Sequence, residues 1–360
     1  MAFKQSFKIG SMEITSDPGH CRIVGELSGN HGGKLDQALL TLEIAVQSGM
    51  DALKIQTYGA DCMTFNSNRP EFRLKEGLWK NQTLYELYQT AQTPFSWVSP
   101  LFEKANDLGL TLFSSPFSTQ AIERLESANC PGYKIASFEL VDTGLIRATA
   151  ETKKPLVLST GLATLEEITE AVEIISKYGS GELCLLHCIS AYPTPLEATK
   201  FQRMQVLRDR FNVPTGFSDH TSGSVAPIAA AALGACMIEK HFSPNLSNET
   251  VDREFSLGPD EMTDLTQQIG ALNKSLRQSQ DLFSPSICEG EGRLFRRSIY
   301  VSQKINKGEK FSRKNLAVIR PGHGLSPKLL GSIIGMAANR DIDYGEALQL
   351  PDIAGLESEL

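Results

Sequence analysis

Residues 215–242 read TGFSDHTSGSVAPIAAAALGACMIEKHF. A short apolar piece, Thr215–Phe217, breaks into Ser218-Asp219-His220. A second, Cys236–His241, ends in Glu239, Lys240 and His241. Between them lie a Ser/Gly turn and an alanine-rich run. This is the pattern of two parallel strands joined by a helix, with polar groups gathered at the carboxyl end of each strand. The apolar run Val225–Ile238 falls short of the ~20 residues a membrane span needs, and it contains Pro227.

The same pattern extends back through the chain. Further strand candidates are Arg22–Leu27, Ala52–Gln56, Thr111–Ser114, Tyr133–Ala136, Pro155–Leu158 and Leu183–Cys188, which brings the set to eight. Parallel strands covered on both faces read as continuous apolar runs, and most of these do. Amphipathic stretches separate them. Leu35–Ser48 closes on Gly49, and Thr164 is placed to cap a helix ending near Gly179. Eight strand–helix alternations over ~250 residues predict a (β/α)8 TIM barrel. On periodicity alone, a doubly wound open sheet is the alternative. Phe7–Ile14 alternates around Gly10-Ser11 and predicts a hairpin plugging the barrel floor. The connection Tyr58–Pro94, with Trp79 and the helical stretch Leu84–Ala91, is long for a strand–helix link and predicts a segment that serves the site.

Near residue 281 the texture changes. DLFSPSICEGEGR (281–293) is polar and carries Gly and Pro, and short β-like pieces follow at Ser298–Val301 and Leu316–Ile319. The expected organisation is a barrel domain over 1–280, a linker over 281–292 and a small, partly β domain over 293–353. A unit of ~60 residues is marginally stable alone, so this one is expected to pack on something.

A 41% hydrophobic chain of 360 residues can bury a large core, which excludes a disordered protein. Its 35 basic against 42 acidic residues, net −7, argue against a nucleic-acid partner. Seven cysteines without a CxxC read as reduced thiols of a cytoplasmic protein. The start, MAFKQSFKIG, has no apolar core of a signal peptide, and no membrane partner is expected. The sequons at Asn245 and Asn248 therefore carry no weight.

Polar residues at strand ends are the candidates for chemistry. His220 and His241 end adjacent strands: either they hold a divalent metal that polarises a carbonyl, or they are a hydrogen-bonded pair without one. His187, inside an apolar run, reads as a satisfied core histidine. Lys54 and Lys134 lie within apolar strands, where an unpaired ammonium is costly. They are open to three readings. They pair with Glu26 or Glu139; they form an anion site with Ser115, Ser137, Ser159 and Ser218; or one forms a Schiff base. Glu26 and Glu139 suit acid/base work or hydroxyl recognition. Asp252, in NLSNETVDREF (245–255), is a site carboxylate or a solvated charge.

Taken in order, the strand ends spell GELSGNHGG (25–33), LKIQTY (53–58), FSSPFS (113–118), YKIASFE (133–139), LSTG (158–161), AYPTP (191–195), GFSDH (216–220) and IEKHF (238–242). On these motifs the chain resembles the sialic acid synthase family of nonulosonate synthases. RRSIYVSQKINKGEKFSRKNLAVIRPGHG (296–324) is similar to the antifreeze-like SAF domain, a β-clip, that follows the barrel in that family. The resemblance implies condensation of phosphoenolpyruvate with an open-chain N-acetylated amino sugar, giving a nine-carbon 2-keto acid and phosphate. It implies Mn2+, Mg2+ or Co2+ on His220 and His241, which with Glu26 and Glu139 make the catalytic set. Lys54, Ser115, Lys134, Ser137, Ser190 and Ser218 are implied for phosphoenolpyruvate, with Ser190 standing where those synthases have Asn. Glu26 is implied near the metal and the attacking water, and Glu139, Tyr192 and Asp252 toward the sugar. Arg320 is implied to enter a neighbouring subunit's barrel mouth in a domain-swapped homodimer.

Within the family, KIASFE and GLWKNQTLYELYQTAQTP (77–94) resemble pseudaminic acid synthases, whose acceptor is 2,4-diacetamido-2,4,6-trideoxy-L-altrose. Phe138 offers an apolar surface suited to a 6-deoxy sugar. The alternatives within the class are an N-acetylneuraminate or legionaminate synthase. An octulosonate synthase would need a second phosphate site with extra arginines, which the strand ends lack. A carbohydrate- or ice-binding protein would leave eight polar strand ends without a purpose.

Overall fold

In the computed structural model, residues 2–247, 249–277, 283 and 286–355 are described. The chain divides into two compact units, Met1–Gln278 and Ser279–Leu360. Asn248 and part of the expected linker lie outside the described residues.

The first unit opens with β1 (Ser6–Ile9) and β2 (Met12–Thr15), paired antiparallel with Ile9 opposite Met12. Gly10 makes the turn with φ +58°, a conformation a side chain would strain. The Ser11 N–H donates to Thr111 Oγ1 at 3.1 Å, and Ile9 packs against Gly132. Both contacts are at the amino ends of barrel strands, so the hairpin closes the floor.

Eight parallel strands follow: β3 (Arg22–Glu26), β4 (Ala52–Thr57), β5 (Thr111–Pro116), β6 (Tyr133–Ile135), β7 (Leu156–Ser159), β8 (Leu183–Cys188), β9 (Thr215–Asp219) and β10 (Met237–His241). They close in sequence order, with β10 pairing β3 from Met237↔Arg22 to His241↔Glu26. This is a TIM barrel, and the open-sheet alternative falls because a closed ring has no edge. The strands are buried at nearly every position, as parallel strands under helices must be. Helix ends follow from local chemistry. Thr164 accepts from the Glu167 N–H at 3.2 Å, while Glu167 accepts from the Thr164 N–H at 2.7 Å, and the helix Leu165–Tyr178 begins there. No helix among the described residues is long and apolar enough to cross a membrane.

In the second unit, β11 (Ser298–Val301) pairs antiparallel with β12 (Leu316–Ile319). Isolated bridges at Tyr300↔Ala347, Ile305↔Ile342 and Lys310↔Ala337 extend the β character. The unit has its own core, which includes Ile299, Val301, Ile305, Phe311, Ile342 and Leu348. The described part of the stretch expected as a linker, 281–292, is not a bare loop. It carries the 3-10 segment Ile287–Phe295, started by Glu289 accepting from the Ser286 N–H at 2.7 Å.

Candidate active site

A cavity of about 430 Å³ opens at the carboxyl ends of the barrel strands. Glu26, Lys54, Lys134, Ser137, Glu139, Ser190, Tyr192, Ser218, His220, His241 and Asp252 all line it. Ser115 lies just beneath, fully buried, its Oγ accepting from Lys54 Nζ at 3.3 Å. Ser159 is buried and off the wall. Arg320 belongs to the second unit, directly after β12, and is exposed.

The deepest part is an ion network. Lys54 Nζ sits 2.6 Å from Glu26 and 3.8 Å from Glu239. Lys134 Nζ donates to Glu239 Oε1 at 2.7 Å, and Ser218 Oγ donates to the same oxygen at 3.1 Å. Gln56 holds Glu26 in place with a 2.9 Å bond from Nε2. The expected partner of Lys54 is therefore present. Lys134 departs from the expectation, because it pairs with Glu239 and not with Glu26 or Glu139. β6 and β10 stand opposite each other in the ring, and the lysine stem spans the interior. Glu139 is carried past the strand end by the turn Ser137–Val141. Burial opposes the charge on Glu239, yet Lys134 and Lys54 outweigh it and hold the carboxyl low. For Glu26 burial wins over Lys54, and its carboxyl is raised. Two ammoniums and two carboxylates thus nearly cancel in a dry interior, where an anionic ligand can compete for both lysines.

The two histidines meet at the mouth with ring centroids 5.3 Å apart. His220 Nδ1 donates to Ile189 O at 3.0 Å, which fixes the tautomer and leaves Nε2 as the lone-pair nitrogen. Burial above all, with His220 beside it and Lys54 and Lys134 further off, holds His241 well below the usual imidazole range, so it is neutral as a ligand must be. Its buried Nδ1 has no hydrogen-bond partner among the described residues; Asp252 Oδ2 is 3.7 Å away. This donor set fits a divalent ion with open positions. Among the described residues no cluster of three or more His, Cys, Asp or Glu side chains converges.

Strand parity explains which strand-end residues reach the site. Side chains alternate between interior and helix-facing sides. Glu239 and His241 face in, and Lys240 between them faces out to Asp219 at 2.7 Å. Likewise Cys188 lines the cavity, whereas His187 turns out as the core histidine expected, though only half satisfied: its Nε2 donates to Thr199 O at 2.6 Å, and its buried Nδ1 has no hydrogen-bond partner among the described residues.

Around the mouth, burial raises the Glu139 carboxyl to about 7, and its Oε2 has no hydrogen-bond partner among the described residues. Asp252 is not a solvated charge. It is buried, accepts from the Gly29 N–H at 3.4 Å, and burial raises its carboxyl. Gly161 is required by proximity: a Cβ there would lie 2.2 Å from Ser190 Oγ and 2.7 Å from Ser137 Oγ. Sequence reasoning placed Glu239 and Gln56 at strand ends without giving them a role. The period-two step from His241 and from Lys54 marks both. Cys188 was read as an ordinary thiol. It lies 3.7 Å from His220 Nδ1, and although burial opposes it, His220 lowers the thiol pKa.

Residues 41–281 match the NeuB family, and residues 296–354 match the SAF domain. The chain is 42% identical over 331 residues to a pseudaminic acid synthase of Campylobacter jejuni, covering 92% of this chain and 96% of that one. It is 33% identical to an N,N'-diacetyllegionaminic acid synthase of Legionella pneumophila, covering 95% and 97%. A solved structure of an N-acetylneuraminic acid synthetase from Leptospira borgpetersenii superposes with a TM-score of 0.71 at 27% identity, covering 81% of this chain and 96% of that one. With a closed barrel, polar strand ends converging on one cavity, and these relatives along nearly its whole length, the chain belongs to the NeuB family of sugar-acid synthases, and it carries a C-terminal SAF domain.

Proposed function

We propose that this enzyme condenses phosphoenolpyruvate with 2,4-diacetamido-2,4,6-trideoxy-L-altrose and water, releasing phosphate and pseudaminic acid. One observation carries the reading: the buried Lys54–Glu26–Glu239–Lys134 network and the His220–His241 pair share a single cavity. The first suits a small polyanion and the second an aldehyde oxygen. The greater similarity to a pseudaminic acid synthase than to a legionaminic acid synthase supports the choice of sugar.

Lys54 and Lys134 hold the phosphate and carboxylate of the enol ester, assisted by Ser115, Ser137, Ser190 and Ser218. Tyr192 and Asp252 orient the open-chain sugar. A divalent ion (Mn2+, Mg2+ or Co2+) held by His220 and His241 would supply polarisation of the sugar carbonyl. The enol carbon bonds to the aldehyde carbon, and Glu139 gives its proton to the new alkoxide. Water adds to the cationic middle carbon and loses a proton to Glu26. The carbon–oxygen bond to phosphate then breaks as the carbonyl forms. The lysines stabilise the charge on the leaving phosphate.

We extend the proposal to a homodimer in which Arg320 contacts the sugar in the cavity of a second copy. Phe138, Val141 and Leu162 near the mouth are 55%, 61% and 72% exposed, an apolar rim suited to a covering partner. All seven cysteines are free, which suits a cytoplasmic enzyme.

Phosphate release from phosphoenolpyruvate is measured with a panel of N-acetylated amino sugars, the bis-acetamido trideoxy hexose being expected to react fastest. Release only with N-acetylmannosamine would overturn the choice of sugar, and none with any would overturn the reaction. Mixing inactive Arg320→Ala and His241→Ala subunits should restore some activity, because one mixed cavity carries neither change. Confirmed exchange without activity contradicts the swap.

A further inference from the structure

The excursion Tyr58–Pro94 contributes Met63, Leu74, Trp79, Leu84 and Leu87 to the cavity wall, together with the rings of Tyr58 and Tyr88. None of these side chains is charged. The Trp79 N–H is already spent on Val251 O at 3.0 Å, so the indole presents surface rather than a hydrogen bond. Met63, Leu74, Trp79 and Leu84 are only half-buried and stand outside the barrel's core cluster, so the barrel core does not account for their apolar faces. They are nevertheless held firmly. Leu74 N–H donates to Gln82 O and Asn81 N–H to Leu74 O, both at 2.9 Å, closing a small loop that carries Trp79. Thr83 caps the helix Leu84–Ala91 with Glu86 in a reciprocal pair. The surface is therefore organised before any ligand arrives.

We propose that Met63, Leu74, Trp79 and Leu84 form the wall that selects the acceptor sugar, receiving its methyl-bearing edge, namely a deoxygenated terminal carbon and an acetamido methyl. This rests on the condensation proposed above. A hydroxymethyl group set against this wall would lose water and gain no partner. A wall of this kind discriminates modestly, by roughly tenfold to a hundredfold, because an apolar surface rejects one added hydroxyl only weakly.

Two acceptors identical except for a hydroxyl on the terminal carbon are compared in the metal-loaded, full-length enzyme. The native protein should favour the deoxy acceptor in kcat/KM by about 10- to 100-fold. Trp79→Leu and Leu74→Asn should each reduce that ratio to roughly threefold or less, mainly through a higher KM for the deoxy sugar, with the phosphoenolpyruvate KM unchanged. Phe65→Ser, in the same excursion but off the wall, should leave the ratio alone. A native enzyme indifferent to the hydroxyl, or a ratio unmoved in both wall variants, overturns the wall and leaves the condensation standing. Absence of turnover with every acceptor overturns the condensation instead. The wall is then judged by binding alone. With Trp97→Phe, Trp79 is the remaining tryptophan. Its emission should respond more to the deoxy sugar than to its hydroxylated twin, and no response to either overturns the wall.

Discussion

The cavity has two sides built on opposite principles. One is made of strand ends, short and buried, with its charges in fixed mutual contact: Lys54 on Glu26 at 2.6 Å and Lys134 on Glu239 at 2.7 Å. The other is a long excursion of apolar side chains that sits outside the barrel core. Closed-barrel geometry allows little freedom on the first side, since moving a strand end disturbs its two neighbours. The wall residues of the excursion stand outside the barrel's core cluster, so changing their side chains leaves that core in place. The difference teaches where to look for chemistry and where to look for choice of substrate: under the proposed function the strand ends would handle the enol phosphate and the carbonyl, and the excursion would meet the part of the sugar that differs among acceptors.

The sharpest way to break this division is at the histidines. His220→Ala or His241→Ala should lower turnover by roughly a thousandfold or more while the melting temperature stays close to native. Full activity after exhaustive chelation, or in either variant, would remove the mouth from the chemistry.

Next come the lysines. Lys54→Ala and Lys134→Ala should weaken phosphoenolpyruvate binding by about tenfold to a hundredfold, as expected for the loss of a charge-assisted contact. Each also strands a buried carboxylate, which costs roughly 3–5 kcal/mol of stability. Pairing Lys134→Met with Glu239→Gln should recover stability and leave affinity low. Calorimetric titration beside thermal melts separates the two effects, and unchanged affinity would reduce the network to a structural one.

The legible and illegible parts of this chain divide along the same lines. The barrel could be read because its strands are continuous apolar runs, and the floor hairpin because Gly10 sits where a turn needs it. The strand-end candidates of the barrel converge because a closed barrel brings all carboxyl ends to one rim. Glu239 was left without a role because a run such as Glu239-Lys240-His241 presents three polar residues, and only strand parity says which face the interior. The partner of Lys134, Glu239, was not among the glutamates considered for the two lysines because it lies across the ring, a relation that sequence distance hides. The residues alone left Asp252 open between a site carboxylate and a solvated charge, because nothing local reveals that Gly29 would close over it. The apolar wall was visible only as length, a connection too long for its topology.

Glu139 gives a smaller, signed effect. Burial raises its carboxyl from 4.5 to about 7. Between those values the folded protein keeps a proton that the unfolded chain has lost, so this group's contribution to stability declines as pH rises through that window and is flat above it. Glu139→Gln should therefore gain in melting temperature relative to native as pH climbs from 5 to about 8. Native kcat should fall above pH ~7 as the proton donor is lost, and that limb should be absent in the variant. Parallel melting curves and an unaltered pH profile would contradict the assignment.

The smallest effect on turnover is expected at Lys240, the charged neighbour that faces away. Lys240→Met should destabilise the protein by leaving Asp219 unpaired, by roughly 3–5 kcal/mol, yet leave both KM values near native in the folded fraction. A changed KM for phosphoenolpyruvate would show that parity does not separate chemistry from framework.

The most direct test follows the bridging oxygen of phosphoenolpyruvate. With 18O in the bond between the middle carbon and phosphorus, the reaction is run with the bis-acetamido trideoxy acceptor and the phosphate is read by 31P NMR. If the strand ends hold the enol phosphate while water adds to carbon, the released phosphate carries the label and appears in step with the nine-carbon keto acid. Unlabelled phosphate, or phosphate formed without the acceptor, would contradict the account.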